Sequence, residues 1–233
     1  MMTKELKKRI ITSFLLFLLA VYCIFINYAI FLIAIFLVSG LAFYEISLIT
    51  YRIIGYSFLL GLLCLLYVFG IFAFTAAGLH LLSGPVIFLY ILSICICSDI
   101  GGYIIGKKIG GKKLTKISPN KTISGSMGSF CFSIIPLLVF YNFDKSEYSY
   151  SINNFLLCLE VSLACQLGDI FISYLKRKAK VKDTGNILPG HGGILDRIDG
   201  IIFAIPFAYI YYVGLINYFE ILLEIIPNAF KNL

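Results

Sequence analysis

The sequence predicts an all-α polytopic integral membrane protein of about seven transmembrane helices, eight if residues 219–230 also enter the bilayer. Three observations predict it. Hydrophobic residue types make up 60 % of the 233 residues and charged types only 13 %, about half the charged fraction of an ordinary soluble domain. Apolar runs of roughly 18 or more residues recur along the chain, the length a helix needs to cross a bilayer. Those runs lack the apolar–polar alternation of a barrel strand, so helices are left to satisfy the backbone in lipid.

The first apolar run, near 10–26, follows the basic start "KELKKRI" with no small-residue cleavage site between them. It reads as a first span and not as a removed signal peptide. The second, 28–49, is parted from it only around Asn27. The third and fourth fall near 53–74 and 85–105. The fifth, 124–141, is short and interrupted by Pro136. The sixth and seventh fall near 152–175 and 198–217. All seven cysteines lie inside apolar stretches. The C-x-C of Cys95 and Cys97 is not metal-ligand spacing, so the cysteines read as small packing residues.

Cations orient these spans. With the N-terminus inside, 17 of the 19 basic residues fall in cytoplasmic segments, and only Lys145 and Lys231 lie outside. The polar loops 106–122 and 176–197 then share the cytoplasmic side. The net charge of +7 points to anionic lipid and anionic substrates as partners. Nucleic acid is a poor reading, because neither basic loop carries aromatic residues for base stacking.

Acidic residues at membrane depth cost about 2.5–3.5 kcal/mol on insertion scales and are suspects for function. Asp99, Glu160 and Asp169 fall in or at the ends of spans; Glu160 is the weakest of the three. Asp169, Ser173 and Arg177 are spaced i, i+4, i+8, on one helical face that leads into the basic loop. Asp196 and Asp199 in "DRIDG" are spaced i, i+3 and would project to one side of a helix. They could merely cap a helix N-terminus, where negative charge is favourable. With Asp169 they could instead face one cation, and hard oxygen donors without Cys or organised His favour Mg²⁺ over zinc. Around them, "GHGG" offers exposed backbone N–H groups to an anion. Lys176, Arg177, Lys178, Lys180 and Lys182 lie just upstream. Loop 106–122 again combines glycine, lysine and hydroxyls, and neither loop is a P-loop. Together they describe a site for metal-bound polyphosphate at a membrane surface.

At this point the residues resemble a known family. The run "SYLKRKAKVKDTGNILPGHGGILDRID" is similar to the signature of phosphatidate cytidylyltransferases, with Ser173, Lys176, Arg177, Lys182, Asp183, His191, Gly192, Gly193, Asp196, Arg197 and Asp199 in register. "SDIGGYIIGKKIGGKKL", with Asp99, Tyr103 and Gly106, resembles the family's acidic-aromatic-glycine segment. "ISPNKTISGSMG", with Ser118, Pro119, Lys121, Thr122 and Gly125, resembles its Ser-Pro-x-Lys-Thr segment. Family members usually carry Trp-Glu after that threonine; here Ile123 and Ser124 follow, and the chain has no tryptophan. The resemblance covers roughly residues 95–205, and the chain is on the short side for the family, as if an N-terminal span were missing.

The resemblance implies that CTP and phosphatidate give CDP-diacylglycerol and pyrophosphate, in an integral-membrane homodimer. It places the protein in a bacterial inner membrane, with N-terminus and active site cytoplasmic. It implies N-terminal transmembrane helices over 1–84 and a catalytic transmembrane region over 85–233. A divalent cation is implied, with potassium beside it, and Asp169, Asp196 and Asp199 as the metal-binding acids. Asp169, Lys176, Arg177, Lys182, Asp183, His191, Asp196, Arg197 and Asp199 form the implied catalytic set. Asp99, Ser118, Lys121, Thr122, Ser173, Gly192 and Gly193 are the implied substrate contacts. Phosphatidate is already ionised at neutral pH, so a strong base is dispensable and His191 is assigned to positioning. His80, on the far side of the membrane, is read as structural.

Two rivals share these features. A CTP-dependent lipid-alcohol (polyprenol) kinase would use the same substrates in the same setting. A transporter would also combine broken glycine-rich loops with intramembrane acids, but here the polar groups concentrate on one face and no inverted repeat is apparent.

Overall fold

The computed structural model describes residues 4–115, 118, 121–145, 148–187 and 192–214, with side chains from residue 15 onward. Among these residues the secondary structure is helical, apart from isolated bridges in the loops. Helix α1 (Lys4–Ile26) turns directly into α2 (Tyr28–Ile54). Asn27 makes the turn: its side chain accepts a hydrogen bond from Ile30 N at 2.9 Å and caps α2. The one polar interruption between the first two apolar runs is therefore a helix cap.

Helix α3 (Phe58–Leu65) starts at the Ser57 cap and passes through a π-helical stretch, Leu66–Ala73, into α4 (Phe74–Ile109). A straight helix of 52 residues would run about 78 Å, more than twice the roughly 30 Å of hydrocarbon. The path breaks instead at Gly84, with φ 85° and ψ 171°, directly before Pro85. Glycine adopts that backbone without strain, and proline opens the next helical segment without needing its missing N–H. Residues 74–83 are helical too, and His80 is buried among them, stacked on Phe31 with Nε2 2.8 Å from the Ile24 carbonyl oxygen.

Helices α5 (Ile123–Ser133) and α6 (Ile135–Phe140) follow, separated just before Pro136. Helix α7 (Ile152–Lys178) ends at Lys180, whose φ is 56°. There Val181 N donates to the Lys176 carbonyl and Lys180 N to that of Arg177, a Schellman-type stop. A single turn, α8 (Leu195–Ile198), leads into α9 (Ile201–Gly214).

Among the described residues, four helices are long and apolar enough to cross a membrane: Tyr28–Ile54, Phe58–Ile109, Ile123–Phe140 and Ile152–Lys178. This is fewer than the seven expected from sequence. Phe58–Ile109 counts once despite its break; α1 and α9 are described with side chains only over Leu15–Ile26 and Ile201–Gly214. Residues 215–233, with the end of the expected seventh span and all of 219–230, lie outside the described residues. Large apolar side chains such as Phe17, Phe36, Leu37, Phe58 and Leu59 face outward, which lipid tolerates and water does not.

The closest packing is between α4 and α5. A Cβ on Gly128 would lie 2.5 Å from Ile105 Cβ and 2.8 Å from the Gly101 carbonyl oxygen. A Cβ on Gly102 would meet the Ser129 hydroxyl at 2.5 Å. Small residues on both helices let the backbones touch, and this contact fixes the spacing of the polar residues at the helix ends.

Candidate active site

The loop between α4 and α5 is shaped by backbone bonds. Ile123 N donates to the Lys112 carbonyl at 3.0 Å and Leu114 N to that of Lys121 at 2.8 Å, bridging Lys113 to Thr122. Thr122 then caps α5 by accepting from Gly125 N at 3.1 Å. This short ladder aims Lys121 at α7, where its ammonium pairs with the Asp169 carboxylate. Ser173, one turn on, donates to Asp169 Oδ1 at 3.3 Å.

A cavity of about 350 Å³ opens between α4, α5, α7 and this loop. Asp99 and Tyr103 come from α4, Ser126 and Ser129 from α5, and Gln166 and Asp169 from α7; Ser118, Lys121 and Thr122 complete it from the loop. Five residues expected from sequence to serve the site, Asp99, Ser118, Lys121, Thr122 and Asp169, thus share one cavity. Gln166, Ser126 and Ser129 were not foreseen. Ser126 Oγ donates to Gln166 Oε1 at 2.5 Å, Gln166 Nε2 to Ser162 Oγ at 3.3 Å, and Ser162 meets Ser98 at 2.8 Å. This chain satisfies polar groups that would otherwise be costly inside the bundle.

The signature run after α7 folds around a second centre. Asp196 takes Lys176 Nζ on Oδ1 at 2.7 Å. Its Oδ2 accepts Thr184 N at 2.8 Å and Gly193 N at 3.0 Å, and the Thr184 hydroxyl oxygen lies 3.0 Å from it. Burial alone would raise the Asp196 carboxyl, but the Lys176 ammonium and the two backbone N–H groups outweigh it and hold it below the usual carboxylate range. Gly192, at φ 81°, lets the backbone turn under that carboxylate. Arg177, Lys182, Asp183 and Arg197 are exposed around this loop. His191 lies outside the described residues.

Glu45 is the residue that sequence reading missed. It sits in the middle of α2, 1 % exposed. Thr184 Oγ1 donates to it at 2.7 Å, Leu195 N at 2.9 Å and Ile194 N at 3.0 Å. The signal was present: an acid inside a 27-residue apolar helix needs partners. Glu160, by contrast, is exposed on α7.

Asp169, Asp196 and Asp199 are the acids expected to hold a metal. Among the described residues no three His, Cys, Asp or Glu side chains come together in a way that could hold a metal ion. Asp196 is engaged by Lys176, Thr184 and Gly193. Asp199 lies in the field of Asp169 and Asp99, offset in part by Lys176. The Gly168–Gly200 region makes this approach possible, since a Cβ on Gly200 would press on Cys165, whose thiol points at Asp99 Oδ1 from 3.8 Å. Asp169 and Asp199 are donors that suit a cation taking the rest of its shell from phosphates and water, the usual habit of Mg²⁺.

The sequence profile of the Cytidylyltransferase family matches residues 51–215. The chain belongs to that family. It is 44 % identical over 124 residues to a phosphatidate cytidylyltransferase of Bacillus subtilis, covering 52 % of this chain and 46 % of that one. It is 45 % identical over 134 residues to one of Staphylococcus aureus, covering 55 % and 47 %. The similarity to one of Helicobacter pylori is 36 % over 134 residues, covering 58 % and 50 %. The chain spans about half the length of the curated relatives it matches. Both the cavity and the Asp196 loop lie inside the family match.

Proposed function

We propose that this protein transfers a cytidylyl group from CTP to phosphatidate, giving CDP-diacylglycerol and pyrophosphate. The supporting observation is the cavity in which Lys121 faces Asp169 beside Asp99 and Thr122, within a family whose relatives carry that activity in their names. An oxygen of the lipid phosphate attacks the α-phosphorus. The new P–O bond forms as the bond from the α-phosphorus to the bridging oxygen breaks, and that oxygen leaves with its electron pair on pyrophosphate.

The difficulty of this reaction is charge, since both partners are anions. Lys121 and Lys176 supply positive charge from the two loops. Their pairing with Asp169 and Asp196 holds the ammonium groups in place before substrate arrives. Thr122 offers its hydroxyl to phosphate oxygens, and the exposed Arg177, Lys182 and Arg197 attract the polyphosphate. Asp169 and Asp199 would hold Mg²⁺, which supplies charge neutralisation between the two phosphates. Potassium as a second ion belongs to the same proposal, as do positioning by His191, a homodimer, and a boundary near residue 84 between N-terminal helices and catalytic region. So does a bacterial inner-membrane location with N-terminus and site facing the cytoplasm, supported by the sorting of the cations. Acyl chains would stay in the bilayer while the headgroup reaches the cavity.

The test is direct. Purified protein in detergent, given Mg²⁺, CTP and phosphatidate, should release pyrophosphate. Release of CDP with phosphorylation of a lipid alcohol would favour the kinase reading, and solute flux without nucleotide turnover the transporter.

A further inference from the structure

We infer that Glu45 is a positioning residue for this reaction, reaching from the N-terminal helices to fix the loop that carries Asp196; this rests on the cytidylyl-transfer reading. Glu45 does not line the cavity, and it lies outside the family match, in α2. Its carboxylate joins the two ends of the loop: Thr184 near the start, Ile194 and Leu195 at the close. The Thr184 hydroxyl has one proton to give, and it lies between Glu45 Oε2 and Asp196 Oδ2. Moving Glu45 therefore moves the setting of Asp196.

Two glycines are built around this carboxylate. A Cβ on Gly185 would meet Glu45 Oε1 at 2.6 Å, Cδ at 3.0 Å and Cγ at 3.4 Å, its three nearest neighbours. A Cβ on Gly193 would meet Glu45 Oε1 at 2.5 Å and would also press on Thr184 Oγ1. The last glycine of "GHGG" is thus small because Glu45 and Thr184 occupy its side. A buried carboxylate in an apolar helix is costly, and three converging donors offset that cost. Such an arrangement is kept for geometry more than for stability.

The experiment uses the full chain in detergent with two readouts. In Glu45→Ala the amides of Ile194 and Leu195 should exchange with deuterium at least tenfold faster, and pyrophosphate release should fall at least tenfold. Gly185→Ala should lower turnover at least tenfold by forcing the carboxylate aside. Glu45→Asp withdraws it by one methylene, so the pair Gly185→Ala/Glu45→Asp should recover at least threefold over Gly185→Ala alone. Simple packing would instead give additive losses, which would overturn the inference, as would unchanged exchange and turnover in Glu45→Ala. If Glu45→Ala does not fold, the rescue pair decides. If wild type turns over no CTP, the cytidylyl reading fails, while amide exchange still tests the anchoring.

Discussion

Lys121, delivered by the loop before α5, pairs with Asp169 in the second half of α7 and closes the cavity between α4, α5 and α7. Both side chains keep about a quarter of their surface open, so the pair contributes little to folding. Its value is in holding a cation where an anionic substrate must arrive. Lys121→Ala should therefore lower turnover about a hundredfold or more while the melting temperature stays within about 2 °C. Lys121→Arg should retain part of the rate. The paired measurement of turnover and thermal unfolding checks it.

Asp196 should behave differently from Asp199. Asp196 and Lys176 are mostly enclosed, and Asp196→Ala leaves a lysine and two N–H groups without their acceptor. It should abolish turnover and also destabilise the protein by about 2 kcal/mol. Asp199→Ala should abolish turnover with little loss of stability, because it removes one of several mutually repelling acids. Chemical denaturation of both variants separates the two roles.

The Asp196 loop should be acid-resistant. Its carboxyl is held below 3.8, so its stabilisation is fully present above that pH and is lost only as pH falls through the lower folded value. Cleavage between residues 180 and 193 by pepsin, scored against an unfolded peptide at each pH from 2 to 5, should begin only below about 3.8. In Lys176→Met the onset should move upward.

How much of this was legible in the sequence follows from the range of the contacts. The Asp169, Ser173 and Arg177 face needs only the helical repeat, and Ser173 does meet Asp169. The caps at Asn27 and Thr122 are equally local. Glu45 escaped notice because its partners are 139 to 150 positions away, and its neighbours read as lipid-facing. The i, i+3 spacing of Asp196 and Asp199 was read as one shared face. The turn at α8 is a single four-residue helix, and the donors of Thr184 and Gly193, which the spacing does not show, hold the Asp196 carboxylate. Spacing gave the residues; long-range hydrogen bonds decided where they point.

The α4–α5 contact offers a test of the scaffold itself. Gly101→Ala would push a methyl group to 2.6 Å from the Gly128 carbonyl oxygen, where backbone yields little. It should destabilise the protein by about 1–3 kcal/mol and lower turnover by widening the cavity wall. Gly70→Ala, where a Cβ meets nothing within 4 Å, should do neither. Thermal unfolding of the two variants in detergent makes the comparison.

The fate of each CTP phosphorus tests cytidylyl transfer most directly. Wild-type protein with Mg²⁺ and phosphatidate is given CTP labelled at the α-phosphorus in one sample and the γ-phosphorus in another. The α-label should appear in the lipid and the γ-label in pyrophosphate, and both should form about a hundredfold more slowly, or slower still, in Lys121→Ala. Label from the γ-phosphorus in the lipid, or an unaffected Lys121→Ala, would contradict it.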